Sequence, residues 1–272
     1  MTTNRWLAAL RAELRKTSTT RMWWILLLVM LGYVAVIAAF LAISFAAIPE
    51  QVRTPLSPSL DNRATLLAIY SLGLPIGYVF PVVLGVLAVT TEYRYQTITS
   101  TFLAEPRRGL VLAAKLAVAL GLGLGFGVLA LAASVGGAAP VVAATGHDAL
   151  LGDAGIWRAL AQAVLGMVLW AGIGVGVGAV LRNQVAAIVV ILAFSQLVEP
   201  LARIGLSAWS ATREVAQYLP GAAADALAGA SLYTVGSPVR LLPWWQGALV
   251  LAGYAAVLFV LGALSTLRRD IA

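Results

Sequence analysis

Few residues in this chain could make or break bonds. His147, the single histidine, stands beside Asp148, and a His–carboxylate pair can perform acid–base work when both groups converge on a substrate. Residues adjacent on a chain rarely converge in that way, so the pair reads as a coincidence of an otherwise ordinary loop. Cysteine is absent, which excludes disulfides and thiolate metal sites, and one histidine cannot build a metal cluster. The sequence therefore predicts no catalytic residue, no metal and no cofactor held by this chain.

Two glycine runs could be mistaken for phosphate loops: Gly121, Gly123, Gly125 and Gly127, then Gly172, Gly174, Gly176 and Gly178. A phosphate loop needs a strand before it, a helix after it, and a Lys followed by Ser or Thr, none of which occurs here. Each run instead contains overlapping G-x-x-x-G pairs inside an apolar stretch, the pattern that lets helix backbones approach closely. Gly123, Gly127, Gly174 and Gly178 are the predicted helix-packing positions.

The most distinctive chemistry lies at 90–108, where charges and aromatics interrupt an otherwise apolar chain: Glu92, Tyr93, Arg94, Tyr95, Phe102, Glu105, Arg107 and Arg108. Thr91 can cap a helix and Glu92 suits its first turn, while Pro106 ends it. The spacing predicts a three-turn helix over 92–105 on the aqueous side, displaying Tyr93, Tyr95, Ile98 and Phe102. Such a mix of aromatics and charges suits docking of another protein.

What positions these residues is a membrane. The chain has 272 residues, of which 61% are hydrophobic and 11% charged, with a mean hydropathy of +0.93. A soluble domain carries about 25% charged residues. A bilayer core about 30 Å thick takes roughly 20 apolar residues as a helix. Runs at 23–48, 64–91, 116–146, 159–181 and 241–267 meet that length, and the shorter run 183–198, after an Arg182-Asn183 turn, makes a sixth span. The first run is too long for a cleavable signal core and is expected to remain as a span. The fold class expected is an all-α membrane protein forming a single transmembrane domain over 1–272.

Charge sets the orientation. Arg5, Arg11, Arg15, Lys16, Arg21, Arg94, Arg107, Arg108, Lys115, Arg182, Arg268 and Arg269 fall on the side of both termini, which the positive-inside rule places in the cytoplasm of a cell (plasma) membrane protein. This asymmetry, rather than nucleic-acid binding, accounts for the net charge of +7. Residues 4–17 form an amphipathic helix suited to the headgroup layer, with Trp6, Leu7, Leu10 and Leu14 on one arc. Lys115 is expected to snorkel from its span end. Pro75 and Pro81 should kink the second span, and 200–243 reads as short re-entrant helices on the outer side, with Glu199 and Arg203 spaced to pair at the end of the fifth span.

With these residues in place, the chain resembles type-2 ATP-binding-cassette exporter permeases of the bacterial drug or antibiotic type. The resemblance rests on Glu92-Tyr93-Arg94-x-x-Thr97-Ile98, then Leu103-x-x-Pro106-Arg107-Arg108, then Ala113-Ala114-Lys115. Gln96 departs from the glycine common in relatives. The resemblance implies a coupling helix after the second span, with Glu92, Tyr93, Arg94, Thr97 and Ile98 facing a separate ATPase subunit that holds ATP and Mg. It also implies pairing with a second permease copy or a related permease. The uncharged spans suit a hydrophobic or amphiphilic cargo, and Tyr70, Ser71, Pro75, Tyr78 and Phe80 are candidates to line its path. An ion-coupled carrier and a non-transporting scaffold are the alternatives. The carrier would require ionisable groups deep in the spans.

Overall fold

Apolar runs of this length leave the backbone no partner but itself, so every one becomes helix. The structure, a computed structural model, describes residues 2–49, 57–208, 212–230 and 241–268. It contains α1 (Thr2–Thr19), α2 (Met22–Ala46), α3 (Arg63–Tyr70), α4 (Gly73–Gly77), α5 (Val79–Arg94), α6 (Ile98–Ala104) and α7 (Arg108–Ala144). There follow α8 (Ala154–Leu181), α9 (Gln184–Ala193), a π turn (Phe194–Val198), α10 (Glu199–Ala208), α11 (Arg213–Ala216), α12 (Pro220–Ala228) and α13 (Trp244–Arg268). No strand occurs among the described residues.

Among the described residues, six helices are long and apolar enough to cross a bilayer: Met22–Ala46, Arg63–Arg94, Arg108–Ala144, Ala154–Leu181, Gln184–Leu206 and Trp244–Ser265. The chain is an all-α, multi-pass membrane protein. Its span ends define a proximal face, carrying α1, α6 and the α8–α9 turn, and a distal face, carrying the α7–α8 loop and α10–α12.

The second span is the broken one, and the breaks follow from its prolines. Pro75 and Pro81 have no N–H for the carbonyls of Ser71 and Gly77, four residues back. The helix opens at Ser71–Leu72 and again at Tyr78. The Ser71 carbonyl accepts from Leu74 N–H at 2.9 Å, and neighbours brace the break: Gly73 N–H donates to Ser134 Oγ at 2.9 Å, and Tyr70 Oη donates to the Ala149 carbonyl at 2.8 Å. The span is enclosed, with Leu66, Ile69, Leu72 and Leu74 fully buried.

The fourth span, α8, is the hub, packing against α5, α7 and α13. Lipid tails are as apolar as leucine, so close backbone packing must hold such helices together. Its glycines divide the neighbours among themselves. A Cβ on Gly174 would strike the Val82 carbonyl of α5, and one on Gly178 would lie 2.8 Å from the Val86 carbonyl oxygen. One on Gly176 would lie 2.6 Å from Leu258 of α13. On α7, Cβ atoms at Gly123 and Gly127 would meet Ala171 at 2.9 Å and Met167 at 3.0 Å, while Gly121 and Gly125 face open space.

The fifth span corrects the reading that it ends at 198. Its helix continues through Glu199-Pro200 to Leu206. Pro200 is tolerated because the preceding turn widens to π geometry, in which the carbonyl left without its N–H is that of Ser195. Tyr78 Oη donates to that carbonyl at 3.4 Å. Glu199 and Arg203 therefore lie inside the span. Of the 200–243 segment, 209–211 and 231–240 lie outside the described residues. Its described part holds most of α10, then α11 and α12, and Pro220 opens α12.

Candidate functional site

The proximal face is built where α5 ends. Nothing from Thr90 to Arg94 breaks a helix, so Thr91 does not cap a new one and Glu92 completes the second span. The turn comes at Gln96, whose φ of 57° is left-handed, the conformation that favours glycine. Helix α6 then runs over Ile98–Ala104, half the length expected for the 92–105 helix, and Glu105 accepts from Arg107 N–H at 3.1 Å beyond it.

The five residues expected on this face separate. Arg94 and Thr97 are exposed, and Tyr93 is partly covered, with the Arg182 guanidinium 5.5 Å from its ring centre. Ile98 and Glu92 are buried, at 6% exposure each. Tyr95 and Leu103 stand out instead, 66% and 79% exposed. Arg108 lies over the Phe102 ring at 5.3 Å, and Arg94 bonds Gln184 Oε1 at 3.2 Å.

Glu92 is buried because two lysines reach it. Lys115 Nζ donates to Glu92 Oε1 at 2.7 Å, to Glu13 Oε2 at 2.9 Å and to the Ala88 carbonyl at 2.9 Å. Lys16 Nζ donates to Glu13 Oε1 at 2.7 Å and Glu92 Oε1 at 2.6 Å. Lys115 thus does not snorkel; its side chain is 2% exposed. Burial pulls the Lys16 ammonium down, but its bonds to Glu13 and Glu92 outweigh this and hold it above the usual lysine value. That contribution is complete below pH 10.5 and is lost as pH rises through the higher folded value.

These bonds orient α1. Glu13 is buried against the bundle, Ala9, Ala12 and Lys16 border the cleft beside it, and Leu7 and Leu14 are exposed toward the surroundings. Between α1 and α6 lies a cleft of about 690 Å³, bordered by Arg5, Lys16, Ser100, Thr101 and Glu105. The sequence reading missed Glu13 and misassigned Lys115. The available signal was a lysine about two turns inside an apolar helix, facing an acid at the end of the preceding span.

The candidate path residues do not line an open channel in the single chain. Tyr70, Ser71 and Tyr78 are buried in its core, and Phe80 is half-buried against that core. Tyr78 stacks on Trp170, centroids 4.3 Å apart, and accepts from Gln196 Nε2 at 3.0 Å. Pro75 is half-buried at the kink it creates.

On the distal face, Asp153 caps α8 through Gly155 N–H at 2.6 Å and pairs with Arg63 Nε at 2.6 Å. Arg63 and that N–H hold the Asp153 carboxyl below the usual aspartate value. His147 Nε2 approaches Asp61 at 3.9 Å, and Thr145 Oγ1 lies 3.2 Å from its Nδ1, an exposed loop arrangement. A scan against protein-family models finds no match to this chain, and neither does a search of curated proteins.

Proposed function

We propose that this chain is the permease subunit of an ATP-binding-cassette exporter, moving a hydrophobic or amphiphilic compound with ATP hydrolysed on a separate subunit. The observation that carries the reading is α6: a short helix standing past the spans, with Tyr95 and Leu103 exposed, inside the segment that carries the family-like Glu-Tyr-Arg block. Large apolar side chains beside charges at a helix surface suit a small, well-packed protein contact. In this reading the proximal face is cytoplasmic in the plasma membrane, as the basic residues at that end favour. The contact is made by Arg94, Tyr95, Thr97 and Leu103, while Glu92 and Ile98 hold the segment in shape. A second permease copy, or a related permease, completes the path.

One observation favours the ion-coupled carrier as a second reading. Glu199 and Arg203 lie within the fifth span with Asp225 bonded to Arg203 at 2.8 Å, and ionisable groups inside spans are costly unless used.

The test is co-purification with candidate ATP-binding-cassette ATPase subunits, then transport in vesicles. Tyr95→Ser and Leu103→Ala should leave the helical fold intact and each weaken docking by about 1–3 kcal/mol, roughly 5- to 150-fold in Kd. Docking unchanged by both, or transport with no ATPase present, rejects the exporter and favours the carrier.

A further inference from the structure

Three polar atoms deep in the fourth and fifth spans bond nothing: Glu199 Oε2, Ser195 Oγ and Trp170 Nε1. Their residues are 2%, 5% and 1% exposed. Buried polar groups are almost always satisfied, so two oxygens without a donor, one helical turn apart, require a reason.

The local geometry supplies it. Glu199 Oε1 is saturated: it accepts from Gly221 N–H at 2.5 Å, Ala222 N–H at 3.2 Å, and Arg203 Nη2 and Nε at 2.9 and 3.1 Å. The other oxygen of the same carboxylate receives nothing. Ser195 precedes it by four residues, about one helical turn, and the π turn between them brings the Ser195 carbonyl to Tyr78 Oη. Tyr78 in turn stacks on Trp170. Single π turns recur at functional positions in helices. Glu199 lies about 22 Å along the fifth span from Gln184, toward the distal end.

An occupant that satisfies the Glu199 and Ser195 oxygens must bring positive charge or donated hydrogen, whereas Trp170 Nε1–H is a donor and contributes only its ring to such a site. Among the described residues, the two carboxylates Glu199 and Asp225 outnumber the one guanidinium, Arg203, that bonds both, which disfavours an anion. The free carboxylate oxygen and the serine oxygen accept, and aromatic faces attract cations. We propose that Glu199 Oε2, Ser195 Oγ and the Tyr78–Trp170 pair form a binding site for a monovalent cation, either an alkali ion or the ammonium head of an amphiphilic amine. The site does not depend on the exporter reading, since binding is measured on the chain alone.

Tryptophan fluorescence of the purified chain in detergent tests it, titrated separately with sodium chloride, potassium chloride and hexylamine hydrochloride. Trp170→Phe identifies the reporting ring. The expected result is a saturable change for at least one cation, weakened about tenfold or more in Glu199→Gln, consistent with loss of a charge-assisted bond. Ser195→Ala should weaken it several-fold with little change in thermal stability, because Ser195 Oγ makes no hydrogen bond of good geometry in the structure. That variant carries the test should Glu199→Gln fail to fold. A response to the alkali salts makes the source inorganic, and a response to hexylammonium alone makes it an organic amine. Curves identical in wild type and Ser195→Ala for all three salts overturn the proposal.

Discussion

Lys115 and Glu92, 23 residues apart on different spans, share a hydrogen bond of 2.7 Å with both side chains at most 8% exposed. The bond ties the third span to the end of the second, and Glu13 extends it to α1. Removing one partner of a buried pair leaves an uncompensated charge, which costs about 3–5 kcal/mol, whereas replacing both is far milder. Lys115→Met should therefore lower unfolding stability in detergent by that amount, and Lys115→Met with Glu92→Gln and Glu13→Gln should recover most of it. A Lys115→Met change smaller than about 0.5 kcal/mol would show that the cluster contributes nothing to the fold. Substitution of Glu92 alone tests folding rather than docking.

The glycine runs give a prediction with a built-in control. Gly174 and Gly178 have no room for a Cβ beside the α5 carbonyls, whereas Gly121 and Gly125 meet nothing within 4 Å. Gly174→Ala should cost about 1–3 kcal/mol by overpacking. Gly125→Ala should be neutral or stabilising by up to about 1 kcal/mol through helix propensity. Thermal melts of the two variants decide it, and equal effects at both positions would contradict the packing described.

Asp153 predicts an acid dependence. Its carboxyl sits below the reference value of 3.8 because Arg63 and the α8 N-terminus favour the charged form. A depressed carboxyl contributes stability that is present above the unfolded value and lost as pH falls through the folded one. Asp153→Asn keeps a capping oxygen but not the charge, so the fall in melting temperature between about pH 5 and pH 2 should be shallower than in wild type. Parallel curves for the two proteins would show that the pair is not formed in solution.

The sequence by itself determined the all-α membrane class and the six spans, and its G-x-x-x-G spacing marked Gly123, Gly127, Gly174 and Gly178, though Gly176 packs as closely. Those depend on local sums: apolar length, charge-free runs and G-x-x-x-G spacing act within one helix and need no knowledge of its neighbours. Glu199 and Arg203 were legible as a pair for the same reason. Tertiary structure decided the rest. Glu92 looked exposed because it is charged and follows an apolar run, yet Glu13, 102 residues from Lys115, and Lys115 itself converge on it only through the rotation and tilt of three packed helices. The length of α6 was fixed by the left-handed turn at Gln96, not by the first charge at Glu92. The fifth span ran past Pro200 because Tyr78, from a different span, takes the carbonyl that proline leaves bare. Helix length is written along one chain, whereas the partner of a buried polar atom is set by how separate helices meet.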